Sequence, residues 1–244
     1  MTGVPAIGLS SGTLPQAGAT ELARAALRYG GSGVDLRIGK GQGWDSDGVA
    51  EGLRAVAEAG AEVFFTGVGW RLGDPGLAPA EAAEAAGVPS RWPVKVFCVE
   101  RPDLGLVAEQ VSGAADAGFA LWVETHAGGP AVDGLIDLAA RTGAGVVLDV
   151  LGLREIGGAD RHQLADLAPH VHAAQVKGVL RTPEGVRHRP LTPPDLDPVL
   201  NVLERGPLRS ITVESRAGAP DSDLAVLAHV LVPNMTLEEL DRCR

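Results

Sequence analysis

Aromatic side chains are scarce in this sequence: four Trp, four Phe and one Tyr make up 4% of its 244 residues. The interior must therefore be filled by aliphatic and small residues, and with 45% of the chain hydrophobic there is enough of them for a substantial core. Cysteine is nearly absent. Cys98 lies inside an apolar run and Cys243 beside the C-terminus, without the spacing of a zinc knuckle or a redox pair. A disulfide or zinc scaffold is excluded, and a reducing cytosol is expected. Basic residues are outnumbered, 21 Lys and Arg against 31 Asp and Glu, for a net charge of -10. No basic stripe is at hand to displace counterions from phosphates, so neither nucleic acid nor an anionic membrane is expected as a partner. The start, MTGVPAIGLSSG, has neither the basic residues nor the long apolar core of a signal peptide. No apolar run reaches the ~20 residues that span a bilayer. The expectation is a soluble, cytoplasmic protein acting on a small molecule, with a homo-oligomer left open.

What the chain has in quantity is glycine and proline, 33 and 17, and these punctuate short apolar runs. Eight such runs read as strands: AIGLSS, GVDLRI, EVFFTGVG, PVKVFCVE, ALWVETHAG, GVVLDVLG, VHAAQVKGV and SITVESRAG. After each comes a stretch with apolar positions three and four apart, and several of these begin with Thr or Asp and end on Gly, as helices do. Near-continuous apolar strands imply a parallel sheet covered on both faces. Eight βα repeats without a break in composition predict an α/β fold, a (β/α)8 TIM barrel, as a single domain over residues 1–244. A doubly wound open sheet is the alternative, but RIGKGQGW at 37–44 lacks the GxGxxG spacing of its nucleotide-binding form. The proline-rich pieces at 73–79 and 190–198 read as long loops at the strand C-terminal ends.

Four of these apolar runs carry a polar residue near the end: Glu124, Asp149, Gln175 and Glu214, on the fifth to eighth strands. In a barrel such positions converge on one mouth. Carboxylates crowded there repel one another unless a cation sits among them, which suggests a divalent metal. All the donors are hard oxygens, so Mg2+ or Mn2+ is favoured over Zn2+. Equally, some of these groups could cap helices or pair with Lys177 and Arg216.

With these strand ends the sequence resembles the xylose-isomerase-like TIM barrels, where a Glu, an Asp, a His and a Glu from the last four strands bind one divalent metal. Glu124 in VETH, Asp149 in VVLDV and Glu214 in ITVES fall on three of those positions. Gln175 stands where many members have His. This is similar to the hydroxypyruvate-isomerase branch, in which Gln is followed by an R-H-x-P segment, here Arg187, His188, Arg189 and Pro190. A second departure is Gly152, where many members carry a substrate-contacting His. The resemblance implies a metal-dependent isomerase or epimerase of a small sugar or keto acid, working by proton transfer through an enediolate. Glu124 and Glu214 would be its acid/base pair, with Asp149 and Gln175 as ligands only. A lyase or dehydratase on the same scaffold, or a metal-free binding or regulatory barrel, are the other readings.

Period-two alternation puts Lys177 on the side of Gln175, Arg216 on that of Glu214, and His126 on that of Glu124. Either they line the pocket or they neutralise the carboxylates, and the ammonium of Lys177 could replace the metal altogether. Arg37 and Lys40 after the second strand, Trp70 and Arg71 after the third, and His188 complete the candidate substrate contacts. Cys98 reads as packing.

Overall fold

A computed structural model describes residues 4–183 and 185–231; Cys243 lies outside them. In chain order the strands are β1 (Ala6–Ser10), β2 (Gly33–Arg37), β3 (Glu62–Leu72), β4 (Val94–Cys98), β5 (Leu121–Glu124), β6 (Gly145–Asp149), β7 (Val171–Val176), β8 (Gly178–Thr182), β9 (Gly185–Arg189) and β10 (Ser210–Val213). The helices are α1 (Ala19–Arg28), α2 (Val49–Glu58), α3 (Pro79–Ala85), α4 (Leu104–Asp116), α5 (Val132–Thr142), α6 (Val150–Glu155), α7 (Arg161–Leu167), α8 (Asp197–Leu203) and α9 (Pro220–Leu231). The strands hydrogen-bond in the order β1-β10-β7-β6-β5-β4-β3-β2 and the sheet closes. The fold is the expected (β/α)8 TIM barrel. No helix among the described residues is long and apolar enough to cross a membrane.

Contacts group the chain into two compact halves. One holds the described residues up to Phe64, Gln175–Asp197 and those from Arg209 onward; the other holds Phe65–Ala174 and Pro198–Leu208. In the first, β1 pairs in parallel with β2, Gly8 opposite Gly33, and with β10, Ile7 opposite Ile211. The two glycines are a steric requirement. A Cβ on Gly8 would lie 1.9 Å from the Gly33 carbonyl oxygen and 2.8 Å from the Phe64 ring, and one on Gly33 would lie 2.7 Å from the same ring. One of the few aromatic rings thus fills space that two missing side chains leave. Outside the sheet, α1 buries Leu22 with Ala19, Ala23, Ala25 and Ala26, small residues that let the helix approach closely.

In the second half, β5 lies between β4 and β6, with Val94 opposite Leu121 and Val123 opposite Val146. All five residues of β6 are buried, as a strand covered on both faces requires. The Asp103 side chain caps α4 by accepting from the Gly105 and Leu106 amides, and Asp160 with Gln163 forms a capping box on α7. Trp122 stacks on His172 with ring centroids 5.2 Å apart.

Three features differ from expectation. The third strand runs on to Leu72 with its register broken between Gly67 and Arg71, so Trp70 and Arg71 lie within β3 and not after it. A short helix, α6, starts directly at the end of β6. The seventh strand stops at Val176, and Gly178–Thr182 turns out to be one arm of an antiparallel hairpin with Gly185–Arg189. Thr182 pairs with Gly185, whose φ of 127° favours glycine. Arg189 is held by the Asp195 carboxylate in two bonds of 2.8 and 2.9 Å. Burial works to raise the Asp195 pKa, but the bonds from Arg189 and Thr192 outweigh it and hold the carboxyl below its usual range. Nearby, Asp223 accepts from the Leu191 amide at 2.6 Å. The segment matched to the isomerase motif therefore includes a clamp at the hairpin exit.

Replacing Gly8 with Ala forces a methyl against a backbone oxygen. Overpacking of this kind costs about 1–3 kcal/mol, which for a chain of this size lowers the melting temperature by roughly 3–10 °C. An unchanged thermal melt would contradict the packing of Phe64 on the two glycines.

Candidate active site

In the first half, four neighbouring strands each supply two residues spaced two apart, and these form stacked polar layers. The lower layer centres on Asp35 of β2, which is 1% exposed. Its Oδ1 accepts from Ser10 Oγ at 2.9 Å, and its Oδ2 from Gln175 Nε2 at 3.1 Å and Thr212 Oγ1 at 2.5 Å. Two residues further along the chain come Arg37, the last residue of β2, and Gly12, Lys177 and Glu214, just past the ends of β1, β7 and β10. Glu214 Oε1 accepts from Arg37 Nη1 at 2.8 Å and its Oε2 accepts from Lys177 Nζ at 2.8 Å. The Glu214 backbone amide donates to the Val176 carbonyl at 2.8 Å, which fixes the end of β10 against β7. Gly12 lies against this ion pair: a Cβ there would be 2.8 Å from Glu214 Oε1 and 3.0 Å from Arg37 Nη1. Arg37 is held in turn, its amide donating to Ser11 Oγ and its carbonyl accepting from Trp44 Nε1.

The second half has a carboxylate–ammonium pair of its own. Glu124 Oε2, at the end of β5, is 2.5 Å from Lys95 Nζ on β4. Both side chains are buried. Asp149 ends β6 and caps α6, its Oδ1 accepting from the Leu151 and Gly152 amides at 2.9 and 2.7 Å. The Thr125 hydroxyl ties β5 to β6 by donating to the Asp149 carbonyl and accepting from the Asp149 amide, both at 2.8 Å. Gly152 is closed to any side chain, since a Cβ would sit 1.8 Å from the Thr125 carbonyl oxygen. The missing histidine is thus a consequence of how tightly α6 docks on β5. His126 packs on Phe97 with centroids 4.3 Å apart. Burial, with Arg71 close by, pushes its pKa down. Burial also pushes the Cys98 thiol up to about 11, so the thiol stays protonated and inert, as a packing residue should.

Of the residues read from the sequence as substrate contacts, Arg37 and Lys177 meet at Glu214. Two others do not join them. Lys40 is exposed in the turn after β2. Arg216 is also exposed, which corrects the expectation that it shares a side with Glu214: β10 ends at Val213, so strand alternation does not extend to it. Its amide instead donates to His188 Nδ1 at 3.2 Å. Trp70 is half-buried within β3. The residues that sequence reasoning passed over are Lys95 and Asp35. The signal was there in both cases, a charge in the middle of an apolar strand.

A divalent ion on Glu124, Asp149, Gln175 and Glu214 would need oxygens whose charge is not already compensated. Glu214 is neutralised by Arg37 and Lys177, and Glu124 by Lys95. Asp149 serves as a helix cap, and Gln175 belongs to the Asp35 layer beneath Glu214. Among the described residues no group of three or more His, Cys, Asp or Glu could hold a metal ion. Each of these side chains is thus already engaged by a partner of its own.

No protein-family model matches the sequence, and no curated protein matches it. Solved structures do match. A xylose isomerase domain containing protein from Salmonella typhimurium aligns over 95% of this chain and 99% of its own, with TM-score 0.67 at 13% identity. The probable 3-DHS dehydratase AsbF of petrobactin synthesis from Bacillus anthracis aligns over 92% and 98%, also with TM-score 0.67 and 13% identity. A D-psicose 3-epimerase from Clostridium cellulolyticum aligns over 98% and 95%, with TM-score 0.58 at 12% identity. The chain has the fold of the xylose-isomerase-like barrels.

The Asp35 layer is the support on which the ion pair stands. Asp35→Ala leaves the donors of Ser10, Gln175 and Thr212 buried around a gap, which should cost about 3–5 kcal/mol. The change is read as a lower urea midpoint. A midpoint equal to that of the unaltered protein would show that the layer carries no such weight.

Proposed function

We propose that this barrel is an isomerase or epimerase of a small hydroxy-carbonyl compound, a sugar or keto acid, and that Glu214 moves the substrate proton. The observation that carries the reading is a carboxylate at the end of a barrel strand, gripped on both oxygens by cations from two other strands. That is where barrels of this kind place their chemistry, and the neighbours in fold include a D-psicose 3-epimerase.

Glu214 takes the proton from the carbon beside the carbonyl. The C–H electron pair becomes the C=C bond of an enediolate, and the negative charge moves onto the former carbonyl oxygen. Lys177 holds its ammonium beside Glu214, and an N–H donor of that kind is what would stabilise the oxygen. Arg37 keeps the carboxylate oriented. Returning the proton to the former carbonyl carbon, while the hydroxyl proton of the neighbouring carbon passes to the former carbonyl oxygen, gives the isomer; returning it to the other face of the original carbon gives the epimer. A dehydratase, as AsbF is described, would share the first step and then lose a hydroxyl from the next carbon. Glu124 is carried by Lys95 in the other half much as Glu214 is by Lys177.

Incubation in D2O with hydroxypyruvate and a panel of ketoses tests this reading. One substrate should take up deuterium beside its carbonyl, and Glu214→Gln should slow that uptake by about 10²–10⁴-fold, the usual worth of a positioned acid or base. No exchange on any panel member, or undiminished exchange in Glu214→Gln, contradicts it.

A further inference from the structure

We infer that fixed lysine ammonium groups occupy, in this chain, the role a divalent cation plays in metal-dependent proton transfer, so that the protein neither binds such an ion at Glu214 or Glu124 nor needs one. The reaction assigned to Glu214 rests on the function proposed above; the claim about the cation stands on the two ion pairs themselves.

Each carboxylate has a buried partner built for it. Lys95 and Lys177 are only 3% and 7% exposed, and a lysine is almost never buried to that degree unless paired. Desolvating an ammonium is costly, so two such lysines opposite two strand-end glutamates are a structural commitment. The backbone is shaped around both pairs. On β3, Gly67 presents no side chain where the Lys95 stem lies, and a Cβ there would be 2.9 Å from Lys95 Cε. At the other pair Gly12 gives way to Arg37 and Glu214 in the same manner. A larger residue at either position would collide with the cationic arrangement.

Electrostatics makes the two occupants exclusive. With Arg37 and Lys177 both bonded to Glu214, a divalent ion on that carboxylate would sit within a few ångströms of two fixed positive charges, and like charges at that range oppose binding strongly. The chemistry available changes too. A metal chelates two substrate oxygens at once, whereas an ammonium hydrogen-bonds to one and can also give it a proton. Chelation of two vicinal oxygens is therefore not what would activate the substrate; a hydrogen bond to its carbonyl oxygen acidifies the neighbouring C–H.

The test uses the unaltered protein, dialysed against EDTA and then titrated with Mn2+ while the electron paramagnetic resonance signal of free Mn2+ is followed. The expected result is no loss of signal, and a thermal melt that is the same in EDTA and in about 1 mM Mn2+. Stoichiometric uptake of Mn2+ overturns the inference, as does a rise in melting temperature of roughly 5–10 °C, the shift expected of ligand at a hundred times its Kd. Deuterium exchange, where a substrate is found, should persist in EDTA; exchange lost in EDTA and restored by Mn2+ would equally overturn it. Because the titration contains no substrate, silence towards Mn2+ together with absent exchange would sink the proposed function and leave this inference standing.

Discussion

Burying a charge is the constraint on which the rest of this structure depends. Glu214 and Lys177 are both more than nine-tenths buried, as are Glu124 and Lys95. Each ion gives up hydration worth several kcal/mol, which only close pairing in good geometry can offset. Such geometry cannot be held by flexible loops. It needs partners fixed on separate rigid strands: Glu214 directly after β10 with Lys177 directly after β7, and Glu124 on β5 with Lys95 on β4. A closed sheet supplies that rigidity because every strand has two hydrogen-bonded neighbours.

The same requirement explains several local choices of residue. Asp35 holds Ser10, Gln175 and Thr212, and these lie on the strands that carry or directly precede Gly12, Arg37, Lys177 and Glu214. The lower layer thereby sets the spacing of the upper one. Glycines appear wherever a neighbouring cation or backbone comes too close for a Cβ, at Gly12, Gly67 and Gly152. Phe64 likewise lies over Gly8 and Gly33, where no Cβ stands in its way.

The alternation of short apolar runs with three-and-four periodicity was enough to read all eight barrel strands and the helices between them except α6, which starts inside the run GVVLDVLG, because each signal is local. The hairpin at 178–189 was missed where its apolar start, Gly178 and Val179, merged with β7. At the site, Glu214, Lys177 and Arg37 were legible as polar groups near strand ends. Their pairing was not, since it depends on which strands become neighbours. Lys95 is the clearest case. Its partner is Glu124 because β4 and β5 lie side by side in register, Lys95 opposite Trp122, a contact no window of sequence contains. Asp35 was within reach, because it lies two residues before Arg37 and so shares its face. Arg216 shows the opposite error, in which alternation was carried past the end of the strand.

The central claim is that Glu214 and Lys177 act as one coupled unit. A double-mutant cycle on folding stability with Lys177→Met and Glu214→Gln measures that coupling directly. Removing one partner of a buried pair costs up to about 3–5 kcal/mol, and removing both should cost much less than the sum. The account predicts a coupling energy of about 1–3 kcal/mol; losses that add to within ~0.5 kcal/mol would contradict it.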